Sequence, residues 1–235
     1  MQPGSKDLQS FYEEPIGQVA RRTIFRRVRQ AWPDVRGLRL LGYGYALPYL
    51  RPFVGEAERV AAYVPAQHEI ESADLRFVAV GEEHAWPFVD SLFDRILVVH
   101  GLESAESVRP LLRQIWRVLA PGGRIVCVAP NRASLWAQIE YSPFASGRPF
   151  SRNQLERLLG ETMFAPERWD SALYFPPLRS RRLVRSGVAW ERIGKRCWST
   201  LAGVHIVEAT KSLYALAKPE KVRARKRLLA TAIPR

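Results

Sequence analysis

The sequence has little of what builds a metal centre, a disulfide framework or a membrane span. It contains two cysteines, Cys127 and Cys197, and four histidines, and none of them recurs at the spacing of a metal site or a redox pair. No uninterrupted apolar run approaches the roughly 20 residues that a bilayer-spanning helix requires. The N-terminal sequence MQPGSKDLQSFYEEP also lacks the apolar stretch of a signal peptide. We therefore expect a cytoplasmic protein that holds no metal.

Acidic residues are scarce relative to basic ones. The chain has 36 Lys and Arg against 23 Asp and Glu, which gives a net charge of +13. The basic residues concentrate in three segments, at 21–30, 178–198 and 218–235. Such charge bears on partners rather than on the fold, and we expect an anionic partner: nucleic acid, acidic lipid or an acidic protein. The last segment has no apolar period and is predicted to be a mobile tail.

Apolar residues are plentiful, at 47% of the chain, which is enough to form a sizeable core. The β-branched run at 95–100 predicts a buried strand, and apolar residues at helical spacing predict a helix over 108–119. Pro121 is expected to end that helix before a two-glycine turn, and 124–130 is expected to form a second buried strand. Two buried strands that are connected by a helix predict a parallel sheet flanked by helices.

Two motifs in this part of the chain carry a family resemblance. The sequence WPFVDSLFD (86–94) precedes the first of these strands, and RVLAPGGRI (117–125) leads into the second. Together they resemble the class I S-adenosylmethionine-dependent methyltransferases of the UbiE-like, type 11 kind. The resemblance implies a Rossmann-like α/β fold: a seven-stranded, mostly parallel sheet with one antiparallel strand and helices on both faces. The expected organisation is an N-terminal helical cap at 1–36, a methyltransferase domain at 37–217 and the basic tail at 218–235.

The remaining elements are predicted from their periodicity. Apolar residues at helical spacing indicate one N-terminal helix from Phe11 to Ala31, with Pro15 near its start. Ser151 is a candidate N-cap for a later helix. Further strands are predicted at 38–44, 59–65, 75–81, 169–177 and 203–214.

The resemblance implies that the loop after the first strand holds S-adenosylmethionine. The family pattern there is acidic-x-G-x-G-x-G, and this chain has LLGYGYA. Gly42, Tyr43, Gly44 and Ala46 are therefore candidate cofactor residues, because small residues let the backbone approach a ligand closely. Leu40 stands where the family has its carboxylate.

Further candidates follow the second, third and fourth strands. The second strand ends with Tyr63 and Val64, where the family has an acid that accepts hydrogen bonds from the ribose. Glu82 or Glu83 matches the family's acid near the adenine amino group. His100, at the end of the fourth strand, is a candidate cofactor contact and general base; a packed histidine is the alternative interpretation.

Two functions from different classes remain open. In the first, the protein is a methyltransferase for a small-molecule or lipid-like substrate, with Tyr43, Tyr45 and Tyr63 replacing the lost carboxylates by stacking and hydroxyl contacts. In the second, it is an inactive pseudo-methyltransferase that serves as a binding module. The segment 183–198 has the pattern of a basic amphipathic helix bearing Trp, which would suit an anionic membrane, an ordinary packed helix or nucleic acid.

Overall fold

A computed structural model describes residues 5–65, 78–139, 141–177, 191, 193–194, 196 and 198–212. The helices in these residues are α1 (Ser5–Glu13), α2 (Pro15–Ala31), α3 (Leu47–Leu50), α4 (Val108–Val118) and α5 (Arg152–Glu161). The strands are β1 (Arg39–Gly44), β2 (Arg59–Pro65), β3 (Val78–Gly81), β4 (Phe93–Val99), β5 (Leu119–Pro130), β6 (Phe164–Ala172) and β7 (Val204–Lys211). Short 3-10 turns lie at Arg51–Phe53, Leu135–Ala137, Pro143–Ala145 and Ser199–Leu201.

The seven strands of the described residues form one sheet in the order β3-β2-β1-β4-β5-β7-β6. Neighbours from β3 to β5 pair in parallel, whereas β7 runs antiparallel to both β5 and β6. The central strands are buried on both faces, which is why their sequences are nearly continuous apolar runs. The predicted fold class is confirmed.

Helices cover both faces of this sheet. Leu40 and Leu97 pack with Ile24 of α2 in one buried cluster, while Leu41 and Ile115 of α4 belong to the other. Neighbouring residues of a strand point to opposite faces, so each central strand contributes to both clusters.

The N-terminal part differs from the prediction of one helix over 11–31. The structure has two helices, because the chain is extended at Glu14 (φ −66°, ψ 151°) before α2 begins at Pro15. A proline ring disfavours helical backbone in the preceding residue and lacks the N–H that would continue the helix. The break separates α1 from α2.

Several predicted boundaries also shift. The strand predicted at 169–177 is β6, which ends at Ala172, because Leu173 turns into the left-handed region (φ 66°). It begins earlier than expected, running through Pro166, which an edge strand tolerates at a register shift. The helix predicted to end at Pro121 already stops at Val118, and β5 begins at the next residue.

The predicted cap of α5 is confirmed as a capping box. The side chain of Ser151 accepts the backbone N–H of Gln154, and the Gln154 side chain accepts the N–H of Ser151. No helix in the described residues is long and apolar enough to cross a bilayer. The tail at 218–235 lies outside the described residues, as does most of the basic segment at 183–198.

Candidate active site

The sheet has a topological switch point between β1 and β4, since the strand order runs outward in opposite directions from there. In open α/β sheets, ligands bind outside the carboxyl ends of the strands at such a point. The loop after β1 turns tightly here: the Tyr45 N–H donates to Val99 O at 2.8 Å. Gly44 has φ +73°, and a Cβ on it would lie 2.5 Å from Val99 O. The carboxyl ends of β1 and β4 therefore touch through their backbones.

The small residues of the predicted cofactor loop are needed by the chain's own packing. A Cβ on Gly42 would lie 2.5 Å from Leu50 Cδ1 and 2.7 Å from Ala46 Cβ. Ala46 is itself fully buried. The turn thus folds α3 back against β1. That Gly42, Gly44 and Ala46 also contact a cofactor stays a prediction.

A chain of hydrogen bonds starts at His100, directly after β4. Its Nδ1 lies 2.9 Å from Glu103 Oε1, and its Nε2 lies 2.8 Å from Tyr12 Oη. The Tyr49 hydroxyl donates to Tyr12 Oη at 3.1 Å. All four side chains are buried. The array joins α1, α3 and the loop after β4 at the switch point.

Tyr12 and Tyr49 are both neutral in this array. Burial, followed by the neighbouring Tyr49, raises the pKa of Tyr12 well above its usual value, and burial also raises the pKa of Tyr49. Tyr12 is therefore a neutral hydroxyl, and its oxygen accepts from Tyr49. Which ring nitrogen of His100 carries the hydrogen depends on the tautomer of the imidazole.

Aromatic rings enclose this array. Tyr45 stacks on Tyr12, with ring centroids 5.1 Å apart and an interplanar angle of 10°. Phe144 lies 4.9 Å from the His100 ring, and Phe11 packs edge-on against both Tyr12 and Phe144. The N-terminal helix α1 thus covers the switch point. The structure thereby places Tyr12 against the candidate base.

A second aromatic group occupies the other face of the sheet. Tyr43 and Tyr63 are both buried against Trp86, with centroid distances of 5.1 and 4.9 Å. The Tyr63 hydroxyl donates to the backbone oxygen of Glu82 at 2.8 Å. The structure therefore brings these two predicted residues together, and their contacts are with the protein itself.

The two candidate acids after β3 differ in their surroundings. The Glu83 carboxylate accepts the backbone N–H groups of Glu106 and Ser107, at 3.1 and 3.3 Å, just before α4 begins. Glu82 has an exposed side chain. Of the pair, Glu82 is the better placed to meet a ligand.

Sequence reasoning missed two members of the array, Glu103 and Tyr49. Glu103 was detectable in principle, because an acid three residues after a histidine, in a loop that follows a buried strand, can return to it. Tyr49 had no comparable signal, because its contact with Tyr12 joins residues far apart in the sequence.

The acids at this edge of the sheet suit S-adenosylmethionine, a cation with amino groups to bind. Glu82 offers an exposed carboxylate at the carboxyl end of β3. Glu103 offers a buried oxygen, Oε2, that has no hydrogen-bond partner among the described residues. A buried carboxylate oxygen of this kind is stabilised by a positively charged ligand. At the end of β2, Tyr63 stands in place of a carboxylate.

Solved structures show the class of fold. A SAM-dependent methyltransferase from Thermotoga maritima matches with a TM-score of 0.61 at 16% identity, covering 88% of this chain and 95% of that chain. A SAM-dependent methyltransferase from Archaeoglobus fulgidus matches with a TM-score of 0.58 at 16% identity, covering 81% and 94%. The cyclase SpnF matches with a TM-score of 0.57 at 17% identity, covering 81% and 80%. The fold is that of the class I methyltransferases.

The sequence comparisons show which methyltransferases this chain resembles. Residues 41–127 match the family described as Methyltransferase domain. A demethylmenaquinone methyltransferase of Listeria welshimeri is 30% identical over 77 residues, 31% of this chain and 33% of the relative. One from Anoxybacillus flavithermus is 31% identical over 72 residues, 30% of each. The match spans about a third of the length of these relatives. Residues 41–127 are therefore similar to a methyltransferase domain, and the resemblance carried by the two motifs is confirmed.

Proposed function

We propose that this protein is an S-adenosylmethionine-dependent methyltransferase that acts on a small-molecule or lipid-like substrate. One observation carries the proposal: in a methyltransferase domain, a glycine turn and the buried His100 meet at the switch point of the sheet. The names of the relatives, demethylmenaquinone methyltransferases, support a lipid-like substrate.

The residues that would hold the cofactor come from three loops. The backbone of 42–46 would lie against its methionine end, and Glu82 would accept from its adenosine part. Tyr43 and Tyr63 are buried against Trp86, so they would support the ends of β1 and β2 from below rather than contact the ribose directly. When bound, the cofactor supplies an electrophilic methyl group on a positively charged sulfur.

The protein's own contribution is positioning, exclusion of water and proton transfer. Methyl transfer depends mainly on the alignment of the reacting atoms, so few side chains are obligatory. Tyr12, Tyr45 and Phe144 keep water from His100. The Nε2 atom of His100 would take the proton that the nucleophilic atom of the substrate loses, which is general base catalysis.

The test is isothermal titration of the purified protein with S-adenosylmethionine. We expect saturable heat, a raised melting temperature, and weaker binding in Glu82→Gln. Glu58→Gln is the matched control, because Glu58 is an exposed acid just before β2. A folded protein that shows neither heat nor a thermal shift at millimolar cofactor refutes the proposal.

A second candidate function is a binding module that has lost the reaction. The observation that favours it is the chemistry of one side chain in β1 and one in β2. Leu40 is fully buried in the cluster with α2, and the Tyr63 hydroxyl already bonds a backbone oxygen, so neither offers a carboxylate. Because both side chains are fully buried, Leu40→Asp and Tyr63→Asp would strain the core rather than restore a site cleanly. Cofactor titration therefore remains the discriminating measurement.

The basic surface supports peripheral contact with an anionic membrane, which a lipid-like substrate would require. Arg22 and Arg26 are exposed one turn apart on α2. We expect co-sedimentation with vesicles that contain anionic lipid, reduced in Arg22→Gln/Arg26→Gln. The control is Arg109→Gln/Arg113→Gln on α4, which removes the same charge from another face. Binding to RNA in preference to vesicles would contradict the membrane contact.

A further inference from the structure

The loop after β4 holds Glu103 beside His100 by several independent contacts. The Ser104 hydroxyl donates to His100 O at 2.7 Å, which closes the loop on itself. The Glu103 carbonyl accepts the Arg148 N–H at 2.9 Å. Gly147, at φ +77°, leaves no room for a Cβ, which would lie 2.3 Å from that carbonyl oxygen. The carboxylate is therefore placed from both sides by backbone that has little freedom.

The Glu103 carboxylate is buried, and only one of its two oxygens is hydrogen-bonded within the described residues. The Glu103 side chain is only 3% exposed. Its Oε1 lies 2.9 Å from His100 Nδ1, while Oε2 has no hydrogen-bond partner among the described residues. Burying an ionised carboxylate is costly unless it is paired and hydrogen-bonded. A neutral imidazole supplies one hydrogen bond and no charge, whereas an imidazolium supplies both.

The backbone of His100 is strained in a way that fixes the ring. Its φ is +51°, in the left-handed region that non-glycine residues seldom adopt. Such strain persists only where the surroundings over-determine it, and it clusters at functional sites. The result is that Nδ1 faces the carboxylate and Nε2 faces the Tyr12 hydroxyl under α1.

We infer that Glu103 is the positioning residue of His100. It holds the imidazole as the Nδ1–H tautomer, so that Nε2 is bare and ready to accept a proton. Tyr12 Oη occupies the place that the O–H or N–H group of a methyl acceptor would take, so Tyr12 would have to move aside when the acceptor binds. This inference rests on the proposed function.

The proton transfer balances as follows. The acceptor's nucleophilic atom would form its bond to the methyl group while the methyl–sulfur bond of the cofactor breaks and the sulfur keeps that electron pair. The proton of the acceptor would pass to Nε2 of His100. The imidazolium keeps the Nδ1–H, and Glu103 stays ionised and stabilises the positive charge. No other group has to gain or lose a proton in this step.

The experiment is nitrogen-15 NMR of the histidine rings in the full chain at pH 7, with His100 assigned by the loss of its signals in His100→Gln. We expect wild type to show Nδ1 protonated and Nε2 bare. In Glu103→Gln the amide can donate as well as accept, so we expect this single-tautomer pattern to be lost. Tyr12→Phe removes the other partner of the ring, and we expect it to keep the pattern.

Glu191→Gln is the matched control. Glu191 is also a buried carboxylate with one bonded oxygen and one that has no partner among the described residues, and its bonded oxygen accepts the Tyr174 N–H. It should leave the His100 signals unchanged. A protonated Nε2 in wild type overturns the inference even if the variants fail to fold. So does a folded Glu103→Gln that keeps the wild-type pattern.

Titration of the same samples with S-adenosylmethionine separates this inference from the proposed function. If wild type binds no cofactor but shows the expected tautomer, the methyltransferase proposal fails and the positioning by Glu103 stands. If wild type binds cofactor with the opposite tautomer, only the positioning role fails.

Discussion

Gly44→Ala tests whether β1 and β4 meet through their backbones at the switch point. A methyl group at this position would lie 2.5 Å from Val99 O and 3.1 Å from the Gly101 backbone. Gly37→Ala is a matched control, because Gly37 has a similar φ of +69° but nothing lies within 4 Å of the place its Cβ would take. Both substitutions place alanine in the left-handed region of the backbone. Only Gly44→Ala also brings the new methyl group against neighbouring atoms.

The expected magnitudes follow from these contacts. Placing alanine in the left-handed region costs about 1 kcal/mol in either variant. Only Gly44→Ala must also move backbone atoms, and overpacking of this kind costs roughly 1–3 kcal/mol. Separating the loops weakens the hydrogen bond from Tyr45 N–H to Val99 O, which contributes about 1 kcal/mol. We therefore expect a loss of about 1 kcal/mol for Gly37→Ala and about 3–5 kcal/mol for Gly44→Ala.

The assay is urea unfolding followed by circular dichroism, with the free energy of unfolding extrapolated to water. The comparison is valid if both variants unfold with the same slope as wild type. Equal losses in the two variants would refute the close approach of the loops and, with it, the geometry assigned to the switch point.

Three further predictions concern neighbouring groups. Tyr49→Phe removes a buried donor to Tyr12, so the free energy of unfolding should fall by about 1 kcal/mol in urea; an unchanged value would contradict the array. Glu83→Ala should lower the free energy of unfolding by about 1 kcal/mol and leave cofactor affinity unchanged, because the Glu83 carboxylate accepts two backbone N–H groups before α4. Glu82→Ala should leave the free energy of unfolding unchanged and bind cofactor about tenfold more weakly. Burial lowers the pKa of His205 from 6.5 to about 4, so between these pH values the unfolded chain takes up a proton that the folded chain does not. Stability should therefore fall as pH falls through this window, by at most about 1.4 kcal/mol per pH unit, and His205→Gln should remove that part of the loss measured in urea.

Shared architecture leaves the reaction open. A cyclase and two methyltransferases match this chain with nearly equal TM-scores, all below 20% identity. Fold similarity at that level supports an activity only through the site. Cofactor titration and the tautomer of His100 address the site directly, which is why they are the first experiments to perform.

The sequence by itself determined the class of fold. Buried parallel strands need continuous apolar runs, and the crossover at 95–130 needs a helix and a turn of recognisable composition, so local patterns were sufficient. Pro15 and Ser151 likewise marked helix starts through chemistry that acts within one turn. These features depend on neighbours in the chain.

Only the tertiary structure decided what surrounds the candidate base. The array that joins Tyr12, Tyr49 and Glu103 to His100 combines residues 88 and 37 positions apart with one only three positions away. Its formation depends on where α1 lies, since the helix is interrupted before Pro15, and on how the ends of β1 and β4 meet at the switch point. Hydrogen bonds between distant segments are set by packing, which leaves no period in the sequence. For the same reason, the sequence did not distinguish Glu82 from Glu83 as candidate cofactor residues. In the fold, Glu82 is exposed, whereas Glu83 accepts backbone N–H groups before α4.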